Sequence, residues 1–377
     1  MSTAFVRKCL LIGLSLVLLA GLPLAGVGLA GKPARQYLEF PPRTQYVAHA
    51  PFSVVAFITL TALVLAVVLP WIIRVVRAQH RVSTVPGTAG RLPWWGWLGL
   101  TLSAATWVLA WNRFPWFTRF QPYTFTPLWA GYILGVNGLT FRRSGQCMLT
   151  ARPGYFVLLF PLSAGFWWYF EYLNRFVQNW YYSGVNLFTA GEYALHATLS
   201  FATVLPAVLG TREWLATYPR LYAGLEAGGR SAVPRPRCLA WAVLGLGGMA
   251  LALIGVWPDF LFPLVWIAPL VTVSCVQALT GRPTVFAGAA RGDWRDVWLL
   301  ALAALCCGCF WEMWNDHSLA KWIYTVPFVN RFHLFEMPLL GYAGYLPFGL
   351  ECQAIADLFL VQPGVRKDEG NNRGVRG

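Results

Sequence analysis

Long apolar blocks alternate with short polar or basic stretches along the whole chain. A helix that crosses a bilayer needs about 20 consecutive, mostly apolar residues. Roughly ten blocks approach that length: 9–30, 52–76, 94–111, 124–141, 154–173, 190–209, 238–257, 259–280, 297–315 and 336–361. The pattern predicts an all-α, polytopic integral membrane protein with about ten transmembrane helices.

Charge between the blocks sets an orientation. Arg7 and Lys8 precede the first block. Arg74, Arg77, Arg81 and Arg91 fall between the second and third, and Arg142, Arg143 and Arg152 between the fourth and fifth. Arg212, Arg220, Arg230, Arg235 and Arg237 separate the sixth from the seventh; Arg282, Arg291 and Arg295 separate the eighth from the ninth. Arg366, Lys367, Arg373 and Arg376 follow the tenth. With ten spans, all these clusters share one side. Basic loops mark the cytoplasmic side, so both termini are expected there, in an inner or plasma membrane. The opposite loops carry Trp111, Trp116, Trp180 and Trp322, rings suited to a membrane–water interface. The first block, with Arg7-Lys8 before it and Gly28-Leu29-Ala30 at its end, also has signal-peptide features, but its length exceeds the usual apolar region and favours a retained helix. The Gly/Asn/Arg-rich tail from Gly364 is expected to be disordered.

Composition narrows the class. Of 377 residues, 57% are hydrophobic and 12% charged, about half the charge of a soluble domain. That sets aside a soluble enzyme, a disordered chain and a secreted disulfide scaffold. The net charge of +14 belongs to topology-setting loops, and no basic–aromatic nucleic-acid motif accompanies it, so no nucleic-acid partner is expected. The eight Cys fall mostly in or beside apolar blocks and read as small buried hydrophobes. Cys306-Cys307-Gly308-Cys309, with His317 nearby, lacks a second ligand pair, and adjacent helical residues point about 100° apart; no metal site is expected. There is no GxSxG, Walker A, GxGxxG or HExxH motif, and the sequence names no cofactor.

An internal repeat is readable. Phe170-Glu171-Tyr172-Leu173-Asn174 precedes Trp180-Tyr181-Tyr182, and Trp311-Glu312-Met313-Trp314-Asn315 precedes Trp322-Ile323-Tyr324. Glu192 and Glu336 head the following blocks, which contain Leu205-Pro206 and Leu346-Pro347. Pro127-Leu128-Trp129 and Pro263-Leu264-Val265-Trp266 match more loosely. Spans four to six and eight to ten then form a duplicated three-helix unit joined by a linker helix, as in transporters built from parallel repeats. The expected divisions are 1–120 (three N-terminal spans), 121–215 (first repeat), 216–257 (cytoplasmic loop and linker span), 258–363 (second repeat) and 364–377 (tail).

The repeat points to candidate chemistry. Carboxylates inside spans are costly and normally face a protein interior or aqueous cavity. Glu171 and Asn174 share a helix face, as do Glu312 and Asn315. The glutamates are acid/base candidates, with the asparagines orienting them. Glu192, His196, Glu336 and the deep acid Glu351 are candidate binding groups. Trp168, Trp180, Trp311, Trp314, Trp322 and Tyr324 would line an apolar, cation-stabilising cavity. Pro347 is expected to kink the last span. Spans five and nine are expected side by side, with Glu171 and Glu312 converging and the first three spans outside. The alternative is structural: each Glu and Asn tethers its own Trp-x-Tyr loop. His49, His80 and His333 are expected to face solvent.

Trp322-Ile323-Tyr324, Gly341-Tyr342 and Leu346-Pro347-Phe348-Gly349-Leu350-Glu351 resemble the membrane lycopene cyclase domain, over about 310–360 and loosely over 166–215. That family has paired acids after its proline, where this chain has the single Glu351 at longer spacing. The resemblance implies two three-helix units around a linker and a lipid or isoprenoid ligand. Three readings stay open: an intramembrane enzyme acting on a lipid or isoprenoid by proton transfer, a transporter with a proton- or cation-coupled carboxylate site, and a scaffold without a ligand.

Overall fold

Apolar blocks become helices, and the computed structural model describes them over residues 3–42, 44–81, 90–229 and 236–360. The tail beyond Gly364, with Arg230 and Arg235, lies outside the described residues. The first block folds as α1 (Thr3–Leu16) and α2 (Leu22–Leu29) around a π-helical turn. Then come α3 (Val54–Ala78), α4 (Trp94–Trp111), α5 (Phe125–Ser144) and α6 (Pro153–Val177). Strand β1 (Trp180–Ser183) leads to α7 (Ala190–Phe201) and α8 (Val204–Ala216). The second half holds α9 (Pro236–Leu253), α10 (Ala268–Leu279), α11 (Arg295–Asp316), β2 (Lys321–Tyr324), the short pair β3 (His333–Leu334) and β4 (Met337–Pro338), and α12 (Tyr345–Phe359).

Among the described residues, Cys9–Leu29, Val54–Ala78, Pro153–Val177, Ala190–Ala216 and Arg295–Asp316 are long and apolar enough to cross a membrane. The pair Pro258–Trp266 and Ala268–Leu279, bent by 52°, raises the number from five to at most six. These helices fit a membrane-embedded protein. The tenth block shows why fewer qualify than the sequence pattern suggests. Its first residues form β4 and a 3-10 turn, leaving α12 only 15 residues, or about 22 Å at about 1.5 Å per residue. Pro347 therefore lies in the first turn of α12 instead of kinking a long span. There its missing N–H costs nothing, because the first turn has no intrahelical acceptor.

Sequence explains several boundaries. The Ser53 hydroxyl accepts from the Ala56 N–H and starts α3. Thr189 and Glu192 form a reciprocal capping box that starts α7, satisfying two orphan donors at once. Helices α4 and α5 approach closely because glycine faces glycine. A Cβ on Gly99 would sit 2.5 Å from the Gly135 nitrogen, and one on Gly138 2.6 Å from the Gly96 Cα. Small residues permit this contact, and dispersion across it drives association where lipid removes the hydrophobic difference.

The centre is built from α8 and α12. Helix α8 packs on α5, α6, α11 and α12, while α12 packs on α10 and α11 and touches α6. Spans five and nine, α6 and α11, therefore do not lie side by side as expected: the shorter α8 and α12 stand between them. Trp129, Phe170 and Phe348 are among the largest fully buried side chains. Helices α1 and α2 cover α9 and α10, α4 covers α5, and α3 lies outermost with Val55, Ile58 and Val67 exposed.

Candidate functional site: two buried glutamates behind an aromatic cavity

At the C-terminal ends of α6 and α11 the chain turns into β1 and β2, which pair antiparallel. The register sets Trp180 opposite Tyr324 and Tyr182 opposite Trp322. Side chains alternate along a strand, so these four aromatics share one face of the ribbon.

The asparagines hold this ribbon. Asn174 Nδ2 donates to the Trp180 carbonyl at 2.8 Å, and its Oδ1 accepts from the Asn179 N–H at 2.8 Å. Asn315 Nδ2 donates to the Trp322 carbonyl at 2.8 Å, and its Oδ1 accepts from the Trp322 N–H at 2.9 Å. Neither amide bonds its neighbouring glutamate among the described residues, so the expected orienting role is corrected to that of a strand tether. One helix face carries both residues, but the amide is drawn to strand backbone that would otherwise be buried without partners.

Both glutamates are fully buried. Glu171 Oε1 accepts from Trp167 Nε1 at 3.2 Å, Trp180 Nε1 at 3.1 Å and the Tyr182 hydroxyl at 2.6 Å. Glu312 Oε1 accepts from the Tyr324 hydroxyl at 2.9 Å and the Tyr345 hydroxyl at 2.6 Å. The two sets of donors share no residue. Each Oε2 has no hydrogen-bond partner among the described residues. Burial, and then the charge of the glutamate it contacts, pushes the Tyr182 and Tyr324 hydroxyls well above the usual tyrosine range. Both stay protonated donors at neutral pH.

Tyr345 and Trp167 were not singled out in the sequence. Trp167 had a local signal, since it lies one turn before Glu171 on the same face. Tyr345 had none: it reaches Glu312 from another helix. In the alignment that sets Glu171 on Glu312, Gly308 takes the place of Trp167. A Cβ at Gly308 would meet the Tyr345 ring at 2.4 Å, so this glycine makes room for a donor supplied from α12.

A cavity of about 140 Å³ lies against this face, walled by Trp167, Trp180, Tyr182, Trp311, Tyr324 and Tyr345 among others. It therefore touches the donors of both glutamates while the carboxylates sit behind the wall. His196 and Trp322 also line it, with the His196 ring centroid 4.4 Å from that of Tyr123. Lys321 lines it as well and ion-pairs with Glu336, so Glu336 neutralises a cation at the cavity.

The other candidates lie elsewhere. Glu192 is exposed and committed to its helix cap. Trp168 donates from Nε1 to Thr198 at 2.9 Å. Trp314 packs on Trp129 and Phe310. None of these three lines the cavity. His49 is not solvent-facing as expected: its ring lies 2.7 Å from Asp259 and 3.1 Å from the Gln178 carbonyl. The Cys307 thiol lies 3.4 Å from the Thr211 hydroxyl. Glu351 is fully buried in α12, away from this cavity, and neither of its oxygens has a hydrogen-bond partner among the described residues.

Comparison with family models, with curated proteins and with solved structures finds no match.

Proposed function

We propose that this chain is an intramembrane enzyme that moves protons on an apolar, unsaturated lipid or isoprenoid. One observation carries the reading: a single aromatic-walled cavity touches the hydrogen-bond donors of two buried glutamates. The same ligand class is what the resemblance to the membrane lycopene cyclase domain implies.

In this reading Glu171 and Glu312 act through Tyr182 and Tyr324. One glutamic acid passes its proton from Oε1 to the oxygen of its tyrosine as that hydroxyl turns and gives its own proton to a double-bond carbon, so the tyrosine stays neutral throughout. The π faces of Trp167, Trp180 and Trp311 stabilise the cation that results. A neighbouring carbon then loses a proton to the other Glu–Tyr pair, and a proton passes back from that pair to the first across the cavity before the next turnover. The net change is an isomerisation or ring closure that needs no oxidant and no cofactor. The donors on each Oε1, two indoles and a phenol at Glu171 and two phenols at Glu312, hold the carboxylate form without water.

The reading includes a duplicated unit. The matched Glu–Asn–strand connections and the reciprocal register of β1 and β2 support it. It also includes about ten membrane crossings in a cell membrane with both termini cytoplasmic, supported by the one-sided basic loops. Reporter fusions after Arg152, Ala227 and Gly292 test the topology, and a periplasmic signal at any of them overturns it.

The deciding experiment is lipid and pigment extraction from a deletion strain beside its parent and a strain carrying Glu171→Gln with Glu312→Gln. Accumulation of one apolar precursor in both altered strains is expected. An unchanged profile overturns the enzyme reading.

A further inference from the structure

Glu171 and Glu312 occupy matching places in the two halves, but their surroundings differ. Oε1 of Glu171 accepts from two indoles, Trp167 at 3.2 Å and Trp180 at 3.1 Å, and from the Tyr182 hydroxyl at 2.6 Å. Oε1 of Glu312 accepts from two hydroxyls, Tyr324 at 2.9 Å and Tyr345 at 2.6 Å. The Trp322 indole also faces Glu312, but its N–H makes no hydrogen bond among the described residues. An indole N–H only donates, whereas a phenol donates or accepts. At Glu312 either hydroxyl can therefore turn to accept an acid proton while the other goes on donating. At Glu171 two of the three donors cannot turn. A proton on that Oε1 has one acceptor, Tyr182, and two N–H groups aimed at the same oxygen. The donor sets suit a carboxylic acid at Glu312 and a carboxylate at Glu171.

The facing charges agree. Arg175 lies one turn after Glu171 on α6 and faces it. It faces Glu39 as well, but Glu39 is exposed, and water screens that pair far more than the buried one. In the alignment of the two halves Asp316 takes the place of Arg175. The charge that faces Glu312 is Glu336, which is ion-paired with Lys321. Tyr193 also faces Glu171, and Cys309 and Tyr342 face Glu312; these are phenols and a thiol, uncharged at neutral pH.

Within the proton-transfer reading, on which this rests, we infer that Glu312 is the acid and Glu171 the base, with Arg175 the positioning residue that keeps Glu171 ionised. Glu312 passes its proton to the Tyr324 or Tyr345 oxygen as that hydroxyl turns and gives its own proton to a double-bond carbon. The π electrons form the new C–H bond and leave a cation on the adjacent carbon. A C–H bond beside the cation then breaks. Its electrons form a new double bond, its proton goes to the Tyr182 oxygen, and Tyr182 hands its former proton to Glu171. The protein ends with Glu171 protonated and Glu312 ionised, and a proton crosses back before the next turnover. This order also sets how the substrate lies: the carbon that gains a proton is at Tyr324 and Tyr345, and the carbon that loses one is at Tyr182.

The test needs no substrate. Infrared spectra of the purified full chain in detergent at neutral pH read the carboxylic-acid C=O stretch, in a Glu351→Gln background that removes the other fully buried glutamate. A deuterium-sensitive acid band is expected, lost in Glu312→Gln and kept in Glu171→Gln. Glu312→Asp, which retains a carboxyl, is expected to shift the band without removing it, and the amide bands of the same spectra report the fold of each variant. Arg175→Gln is expected to add a second acid band, absent when Glu171→Gln is combined with it and absent in Arg175→Lys. Loss of the band in Glu171→Gln, its survival in Glu312→Gln, or no added band in Arg175→Gln overturns the assignment. The two readings fail separately. An unchanged lipid profile in the deletion strain removes the enzyme and leaves the spectra as they are, whereas a reversed spectral pattern with an accumulated precursor keeps the enzyme and overturns the order of its acids.

Discussion

Trp180 and Tyr324 sit directly opposite each other in the two-stranded ribbon, and each gives its side-chain proton to a different buried glutamate. The ribbon thus serves both acids at once. Residues that are far apart in sequence are fixed against one another by backbone pairing. Small changes on either strand should reach both carboxylates.

Removing one hydroxyl tests that arrangement. Tyr182→Phe leaves Glu171 Oε1 with its two indole donors, and Tyr324→Phe leaves Glu312 with Tyr345. Each substitution should cost about 1–3 kcal/mol, the range for a buried hydrogen bond to a group that can carry charge. Thermal unfolding in detergent measures this, and a cost indistinguishable from that of a surface Tyr→Phe control would show that the bonds do not support the fold.

Gly308 and Tyr345 should behave as a coupled pair. Gly308→Ala drives a methyl group into the Tyr345 ring, and overpacking of this kind costs about 1–3 kcal/mol. Tyr345→Ala removes the obstacle along with the hydroxyl bond. The double variant should therefore be clearly more stable than the sum of the single losses predicts. Additive losses in the double-mutant cycle would contradict the contact.

The tethers can be separated from the acids. Asn174→Leu strands the Trp180 carbonyl and the Asn179 N–H, and Asn315→Leu strands the Trp322 carbonyl and N–H, all of which the amides now satisfy. Each loss should amount to about 2–4 kcal/mol, from two bonds at about 1–2 kcal/mol apiece. Hydrogen exchange should rise at the strand amides of both halves in either variant. Protection lost on one strand alone would mean that the ribbon does not act as a unit.

Glu351 should show the opposite sign. It is a fully buried acid without a hydrogen-bonded partner among the described residues. Replacing such a group with an apolar residue of similar size is commonly neutral or stabilising. Glu351→Leu should raise the melting temperature, and a parallel loss of function would mark the acid as retained for a purpose other than stability. A lower melting temperature would mean that the carboxyl has a partner in the folded protein.

One pH effect lies outside the membrane helices. Hydrogen bonds from Arg295 hold the Asp293 carboxyl below the usual carboxylate range. A depressed folded value means stability that is present above the unfolded value, about 3.9, and lost as pH falls through the folded one. The pair is more than one-third exposed, so screening keeps its contribution below about 1 kcal/mol. Asp293→Asn should differ slightly from the parent at pH 7 and converge with it in acid, as melting curves across that range will show.

Much of the site was legible because it is local. Glu171 and Asn174 are neighbours on one helix face, and the following Trp-x-Tyr lies within reach of the same turn. The capping box at Thr189 and Glu192 was equally local, and its Thr-x-x-Glu spacing was a readable signal for a helix start that a binding role for Glu192 overlooked. Tyr345 was not legible, since it contacts Glu312 across two helices and only the absence of a side chain at Gly308 makes room for it. The positions of α8 and α12 between α6 and α11 were hidden for another reason. Apolar periodicity marks which segments are helical but carries little about which neighbour each one chooses inside lipid.

The reciprocal register of the ribbon bears on what half of this chain would do alone. A polypeptide holding only residues 121–215 would carry β1 with an open edge of unpaired amides and carbonyls, which recruits another strand. Trp180 now faces Tyr324 and Tyr182 faces Trp322, so a second β1 laid antiparallel on the first would set Trp against Tyr at both ends. The half-length chain therefore contains the complement to itself, and in a membrane it should associate as a symmetric pair, with one glutamate from each copy behind a shared aromatic wall.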